Sequence, residues 1–159
     1  MPSQKIAKQS NNAKKSSARL YAVQAVYQMR ANEQVAQEVI NEYIEHRLEK
    51  EIDELNALQT NGTVFTKIVT GVEDKESDLD TILLQARGEK IKDIKTNDAL
   101  LYAILLCGVY EVLTADDVDP PVIISDYMNI AHSFYDGGEA KLVNAILDKV
   151  SKALGDERQ

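Results

Sequence analysis

The chain has 159 residues, of which 26 are acidic and 18 are Lys or Arg, so its formal net charge at pH 7 is −8. This length suits one domain that buries roughly 70% of the surface of its unfolded chain. A single cysteine excludes an intramolecular disulfide and favours a reducing, cytoplasmic environment. The longest uncharged apolar run, Ala99–Tyr110, is shorter than the roughly 20 residues of a membrane span, so we expect no membrane association.

Charge is distributed unevenly along the chain. The first 30 residues contain no acidic residue and carry +6, which leaves −14 for the remainder; their basic residues are Lys5, Lys8, Lys14, Lys15, Arg19 and Arg30. Such an asymmetry indicates a basic arm that binds polyanions, and the alternative is a tail that only aids solubility. Residues 1–16 are polar and nearly free of large apolar side chains. We therefore predict a disordered arm over 1–16 and a single domain over 17–155.

The sequence after the arm predicts a series of helices. Apolar side chains recur at helical spacing in four successive stripes. The stripes are Leu20, Val23, Val26 and Tyr27; Val35, Val39, Tyr43, Ile44, Leu48, Ile52 and Leu55; Phe65, Ile68, Val69 and Val72; and Leu79, Ile82, Leu83 and Ala86. Gly71 and the DKES stretch that follows it predict a break or bend between the last two stripes.

The C-terminal part of the chain predicts three more helices. Asn97 or Asp98 is placed to cap an apolar helix that runs to about Leu113. The prolines of DVDPPV predict the start of the next helix, which ends near Gly137-Gly138. The last helix has Gly155 as its expected C-cap; its apolar residues are Leu142, Val143, Ile146, Leu147, Val150 and Leu154. No segment alternates with a period of two, so the predicted fold class is all-α.

The sequence carries no recognisable pattern of catalysis or metal binding. His46 and His132 are on different predicted helices, and neither has a ligand partner at i+3 or i+4. Cys107 lies within the apolar run, where burial raises the pKa of its thiol, so we assign it to the core. The glycine pair at 137–138 lacks the Lys-Ser/Thr that follows a phosphate-binding loop. We expect no enzymatic activity, no metal and no cofactor.

Three stretches together resemble the bacterial NusB family of transcription antitermination factors. They are ARLYAVQAVYQM at 18–29, CGVYEVL at 107–113 and VIISDYMNIAHSFYDGGEAKLVNAILDKV at 122–150. With VFTKIVTGVEDKESDLD at 64–80, which is similar to the middle segment of the family, the resemblance covers about residues 17–154. It implies a helical bundle of about seven helices, arranged as two packed three-helix subdomains.

The resemblance also implies a function and partners. Members of the family bind the boxA element of ribosomal RNA transcripts jointly with NusE, a small-subunit ribosomal protein, within the antitermination complex of RNA polymerase. Some members are expected to form homodimers. The alternative class is a helical protein-interaction module without specific RNA binding.

The resemblance implies RNA contacts at Lys14, Lys15, Arg19, Tyr27 and Lys141. Basic side chains neutralise phosphates and release counterions. The ring of Tyr27 offers a platform for base stacking, although a tyrosine on the apolar face of a helix can instead pack in the core. Lys141 heads the KLVNAILDK motif beside the glycine pair.

This chain departs from the family pattern at two places. Its arm has spaced lysines where many members have an arginine cluster, and lysine lacks the bidentate fork that arginine presents to phosphate. We therefore expect weaker and less selective RNA binding by the arm. Tyr102 and Leu106 replace basic residues in the helix before GVYEV. We expect them to leave additional apolar surface there, and an exposed Leu106 would favour self-association.

Overall fold

The computed structural model describes residues 2–45 and 62–158, with side chains described over 15–45 and 62–155. The described residues form seven α-helices and no strand, which confirms the predicted fold class for this part of the chain. The helices are α1 (Pro2–Asn32), α2 (Ala36–Tyr43), α3 (Gly62–Arg87), α4 (Glu89–Asn97), α5 (Ala99–Thr114), α6 (Pro120–Phe134) and α7 (Glu139–Arg158).

The chain divides into two compact units, Met1–Thr70 and Gly71–Gln159. Within the described residues, unit 1 contains α1, α2 and the start of α3. Unit 2 contains the rest of α3 together with α4 to α7. The second unit thus holds more helical segments than the three expected for each subdomain.

Helix α1 includes the segment for which disorder was predicted. It begins at Pro2 and continues without interruption through residue 16 into the amphipathic stretch. Proline is well tolerated in the first helical turn, and the Lys, Gln and Ala residues that follow are good helix formers. The first turn has no acidic residue to interact with the helix dipole, so tertiary packing further along α1 must contribute most of its stability.

Aromatic side chains connect the helices of unit 1. The Tyr21 and Tyr43 rings meet edge to face with centroids 6.2 Å apart, and the Tyr43 and Phe65 centroids are 5.4 Å apart. Each such pair adds roughly 0.5–1.5 kcal/mol beyond the area that it buries. In the stripe predicted for α2, Val39 and Tyr43 are buried whereas Val35 and Ile44 are exposed. The last members of that stripe lie outside the described residues; they are Leu48, Ile52 and Leu55.

Helix α5 is the centre of unit 2. Eleven of its sixteen residues are buried, and it packs against α4, α6 and α7. Asp98 caps its N-terminus, as one of the two predicted candidates, because Oδ1 accepts a hydrogen bond from the Leu101 N–H at 3.1 Å. Tyr102 is 1% exposed and Leu106 is 0% exposed, so the prediction of apolar surface with an exposed Leu106 is wrong. Since neighbouring helices cover α5 on several sides, every residue from Leu101 to Val109 is buried, whichever face of the helix it is on.

Helix α3 is continuous from Gly62 to Arg87, so of the break or bend predicted at Gly71 and the DKES stretch, the break is wrong. Gly71 instead lets the Tyr110 ring approach the helix backbone, and a Cβ at this position would clash with that ring. Both apolar stripes of α3 face the interior as predicted, with Ile82 half-buried. The glycine thus serves close helix packing rather than a turn.

Helix α6 begins where the sequence predicts it, and the ends of α6 and α7 differ from the predicted ones. Pro120 and the proline after it occupy the first turn of α6, which confirms the predicted start, and the helix ends at Phe134. Helix α7 continues past Gly155 to Arg158, so the predicted C-cap is wrong. Within the core, the Tyr127 hydroxyl donates to Oε1 of the buried Glu111 at 2.6 Å.

Candidate nucleic-acid interface

Four of the five predicted RNA contacts are on α1 in unit 1, and Lys141 is on α7 in unit 2. The Lys14 side chain lies outside the described residues, and Lys15 is half-buried. Lys15 and Tyr27 are separated by roughly 18 Å along the helix axis, at 1.5 Å per residue. The predicted contacts on α1 therefore extend along more than three helical turns.

Arg19 does not occupy the solvent-facing place that a phosphate contact needs. It is 4% exposed, and the neighbouring Ala18 is 0% exposed. Taking a guanidinium out of water is costly unless it is paired, so a buried arginine is normally held by the surrounding protein. In this conformation a phosphate contact would require the Arg19 side chain to leave its buried place.

Tyr27 lies at the surface. Its side chain is among the most exposed large apolar groups described, at 42%, and no hydrogen-bond partner for its hydroxyl is found among the described residues. The alternative in which Tyr27 packs in the core therefore does not hold. Its role in stacking remains a prediction. The exposed ring meets the requirement that a base can reach it.

A cluster of amides and one carboxylate fixes the end of α1 next to Tyr27. Gln28 Nε2 donates to Gln34 Oε1 at 3.0 Å and to Glu42 Oε2 at 2.7 Å. Gln34 Nε2 donates to Glu42 Oε1 at 3.2 Å, so the Glu42 carboxylate accepts through both oxygens. These bonds tie the last turns of α1 to α2 and hold the helix that carries Tyr27.

Lys141 lies in the first turns of α7, after the turn formed by residues 135–138. It is exposed, and no partner for its ammonium is found among the described residues. A lysine in this state is available to an anion without first breaking an ion pair.

The sequence did not predict a role for Tyr135 or Glu139, which flank this turn. The Tyr135 hydroxyl donates to Asp98 Oδ1 at 2.6 Å. Burial raises the pKa of Tyr135 well above its ordinary value, and the hydrogen bond to Asp98 and the charges of Asp98 and Glu139 act in the same direction. Residue spacing offered no signal of this pair, because Asp98 and Tyr135 meet only through tertiary packing.

The described side chains include no group of three His, Cys, Asp or Glu residues placed to hold a metal ion. Within the same ranges no helix is both long enough and apolar enough to cross a bilayer. Cys107 is 0% exposed, which confirms its place in the core, and burial followed by the charge of Glu111 raises its pKa. His132 is exposed, and His46 lies outside the described residues.

Comparison with known proteins agrees with the fold and the sequence motifs. Residues 16–152 match the model of the NusB family. The "Transcription antitermination protein NusB" of Rhizobium meliloti is 39% identical over 162 residues, covering 99% of this chain and 98% of the relative. The protein of the same name from Mesorhizobium japonicum is 40% identical over 144 residues, covering 91% and 92%. The structure "T. maritima NusB" shares the fold, with a TM-score of 0.64 at 22% identity over 86% of this chain and 89% of that one. This chain belongs to the NusB family.

Proposed function

We propose that this protein acts in transcription antitermination by binding the boxA element of nascent ribosomal RNA jointly with NusE. The relatives named transcription antitermination protein support the first part of this proposal. The observation that carries the RNA-binding part is an acid-free, lysine-rich α1 that ends beside an exposed tyrosine. We propose no enzymatic step.

Phosphate binding is assigned to the lysines of α1. Each phosphate that a lysine neutralises on a single strand releases counterions and contributes about 0.7 to the slope of log affinity against log salt. Because Arg19 is buried, we assign the phosphate contacts to Lys14 and Lys15 and give Arg19 the role of holding α1 in place. On unit 2, the exposed Lys141 is proposed as a further phosphate contact.

Base binding is assigned to Tyr27. Stacking of a base on an aromatic ring contributes roughly 1–3 kcal/mol and tolerates any base. The cluster of Gln28, Gln34 and Glu42 holds the helix end that carries the ring. A ring on an ordered backbone loses less conformational entropy on binding, which favours affinity.

Selectivity for the RNA sequence is assigned to the complex of this protein with NusE, rather than to this protein alone. Lysines act as point charges and stacking accepts any base, so neither reads the RNA sequence. The residues after the first 30 carry −14 and repel RNA wherever they approach it. Joint binding with NusE makes the second contact effectively intramolecular and can raise affinity by roughly 10²–10⁴.

The test is a titration of labelled boxA RNA and of a scrambled RNA of the same composition at physiological salt, with and without NusE. We expect similar affinities for the two RNAs with this protein alone, and a clear preference for boxA with the pair. Equal discrimination in both conditions would mean that this protein reads the sequence alone. Binding to NusE with no RNA affinity in either condition would favour the protein-interaction module instead.

A further inference from the structure

The turn between α6 and α7 is fixed at its two ends by backbone hydrogen bonds. The Tyr135 N–H donates to the Ala131 carbonyl at 2.9 Å, and the Leu142 N–H donates to the Gly138 carbonyl at 3.0 Å. Between these bonds the turn contains two consecutive glycines, which lose more conformational freedom on ordering than other residues. A contact between this turn and another part of the protein therefore helps to offset the entropy that is lost when the turn is ordered.

The side chain of Tyr135 provides such a contact. Its hydroxyl donates to Asp98 Oδ1 at 2.6 Å, and the same oxygen accepts from the Leu101 N–H at 3.1 Å. Asp98 is thereby held at the N-terminus of α5, the most buried helix of unit 2. A hydrogen bond to an ionised carboxylate is stronger than one between neutral groups, so this bond links the turn firmly to the core.

The Tyr135 hydroxyl is protonated at physiological pH, because a phenol ordinarily loses its proton only near pH 10. Burial raises this pKa, and the hydrogen bond to Asp98 and the negative charges of Asp98 and Glu139 raise it further. Glu139 Oε1 is buried without a hydrogen-bond partner among the described residues.

We propose that Tyr135 is a positioning residue for RNA binding, because its bond to Asp98 fixes the turn that sets where Lys141 presents its ammonium. The inference rests on the proposed function, in which Lys141 contacts a phosphate. Lys141 is in the first turns of α7, and helix ends fray unless they are held. Fixing the preceding turn lowers the entropy lost when this lysine binds, and a loosened turn weakens the contact without removing it.

The variant Tyr135→Phe keeps the ring and removes the hydrogen bond. Tyr102→Phe is a matched control, because the Tyr102 hydroxyl also donates to an aspartate in unit 2, Asp80, far along the chain from the turn. We expect Tyr135→Phe to weaken boxA RNA binding roughly two- to tenfold, within the coupling range of neighbouring residues, and Tyr102→Phe to change it by less than about twofold. Melting curves of both variants ensure that the titrations are made below the onset of unfolding.

A double-mutant cycle shows whether Tyr135 acts through Lys141. If it does, the double variant Tyr135→Phe/Lys141→Ala binds RNA as weakly as Lys141→Ala alone. If the two residues act independently, the losses of RNA-binding free energy in the single variants add up in the double variant. An unchanged affinity of Tyr135→Phe, an equal loss in Tyr102→Phe, or additive losses would overturn the inference while the proposed function stands. Absence of boxA binding by the unchanged protein with NusE would instead overturn the proposed function, and this inference with it.

Discussion

Glu33 has the backbone conformation that a glycine normally occupies at the end of a helix. Its φ is 53°, and it is the one non-glycine residue with positive φ in the described part of the chain. The Gln34 N–H donates to the Met29 carbonyl at 3.0 Å, which is the bond that closes a Schellman motif at the end of α1. Because a Cβ is crowded in the left-handed region, this residue costs about 1–2 kcal/mol there.

Glu33→Gly should therefore stabilise the protein. We expect a gain of up to about 1 kcal/mol, since glycine relieves the strain but increases the entropy of the unfolded chain. Glu33→Ala is the matched control, because it removes the same carboxylate and keeps the Cβ. Thermal unfolding of the three proteins measures the effect. A gain in Glu33→Ala as large as that in Glu33→Gly would show that charge, and not backbone strain, is responsible.

Arg19 and Tyr27 show why exposure along α1 was harder to predict than helix formation. Tyr27 belongs to the predicted apolar stripe yet is exposed, whereas Arg19 is basic yet buried. The buried face of α1 includes three alanines, Ala18, Ala22 and Ala25, all 0% exposed. A stripe drawn through large apolar residues omits alanine, so it misplaces the centre of that face. The residue types of the candidate site follow from the sequence, but their access to RNA depends on how α1 packs.

At the scale of helices, the sequence predicted starts and apolar faces better than interruptions. The proline turn of α6 and the Asp98 cap act within a few residues, so their local chemistry determines them. Glycines were misread because a glycine within a helix has two explanations, a break or a close neighbour, and only the tertiary structure distinguishes them. Gly71 meets the Tyr110 ring, and Gly155 has nothing near its Cβ position.

These two glycines predict opposite effects of the same substitution. Gly71→Ala places a methyl group against the Tyr110 ring at a close contact between α3 and α5, which should destabilise the protein by roughly 1–3 kcal/mol. Gly155→Ala meets nothing within 4 Å and should stabilise α7 by up to about 1 kcal/mol, because alanine is the better helix former. Thermal or urea unfolding of both variants measures the difference. A gain from Gly71→Ala would show that α3 and Tyr110 separate easily, contrary to the contact described.

At the scale of the whole molecule, the helical class followed from periodicity and the family followed from motifs in combination. The division at Thr70 and Gly71 could not be read from the sequence, because it falls within a continuous helix and no linker composition marks it. Charge, in contrast, is a property of the sequence itself. The contrast between +6 in the first 30 residues and −14 in the rest holds whatever the packing, so it supports the most direct test of how this protein approaches RNA.

Replacing the lysines at the start of α1 by glutamine should weaken RNA binding and reduce its salt dependence. Glutamine has a helix propensity close to that of lysine, so the exchange removes charge without favouring another backbone conformation. At about 0.7 per phosphate contact on a single strand, the slope of log affinity against log salt should fall by about 1.4 for the two assigned contacts, Lys14 and Lys15. A fall of up to about 2.8 would show that Lys5 and Lys8 also contact phosphates. The four exchanged residues are Lys5, Lys8, Lys14 and Lys15.

A second variant with the same change in net charge tests whether position matters. It exchanges four exposed lysines outside the first 30 residues, namely Lys67, Lys75, Lys92 and Lys152. If the lysines of α1 contact phosphates, the salt slope of this control should stay near that of the unchanged protein, although its affinity falls slightly through long-range repulsion. Equal slopes in the two variants would mean that RNA responds to overall charge alone. The basic start of α1 would then have no role as a binding element.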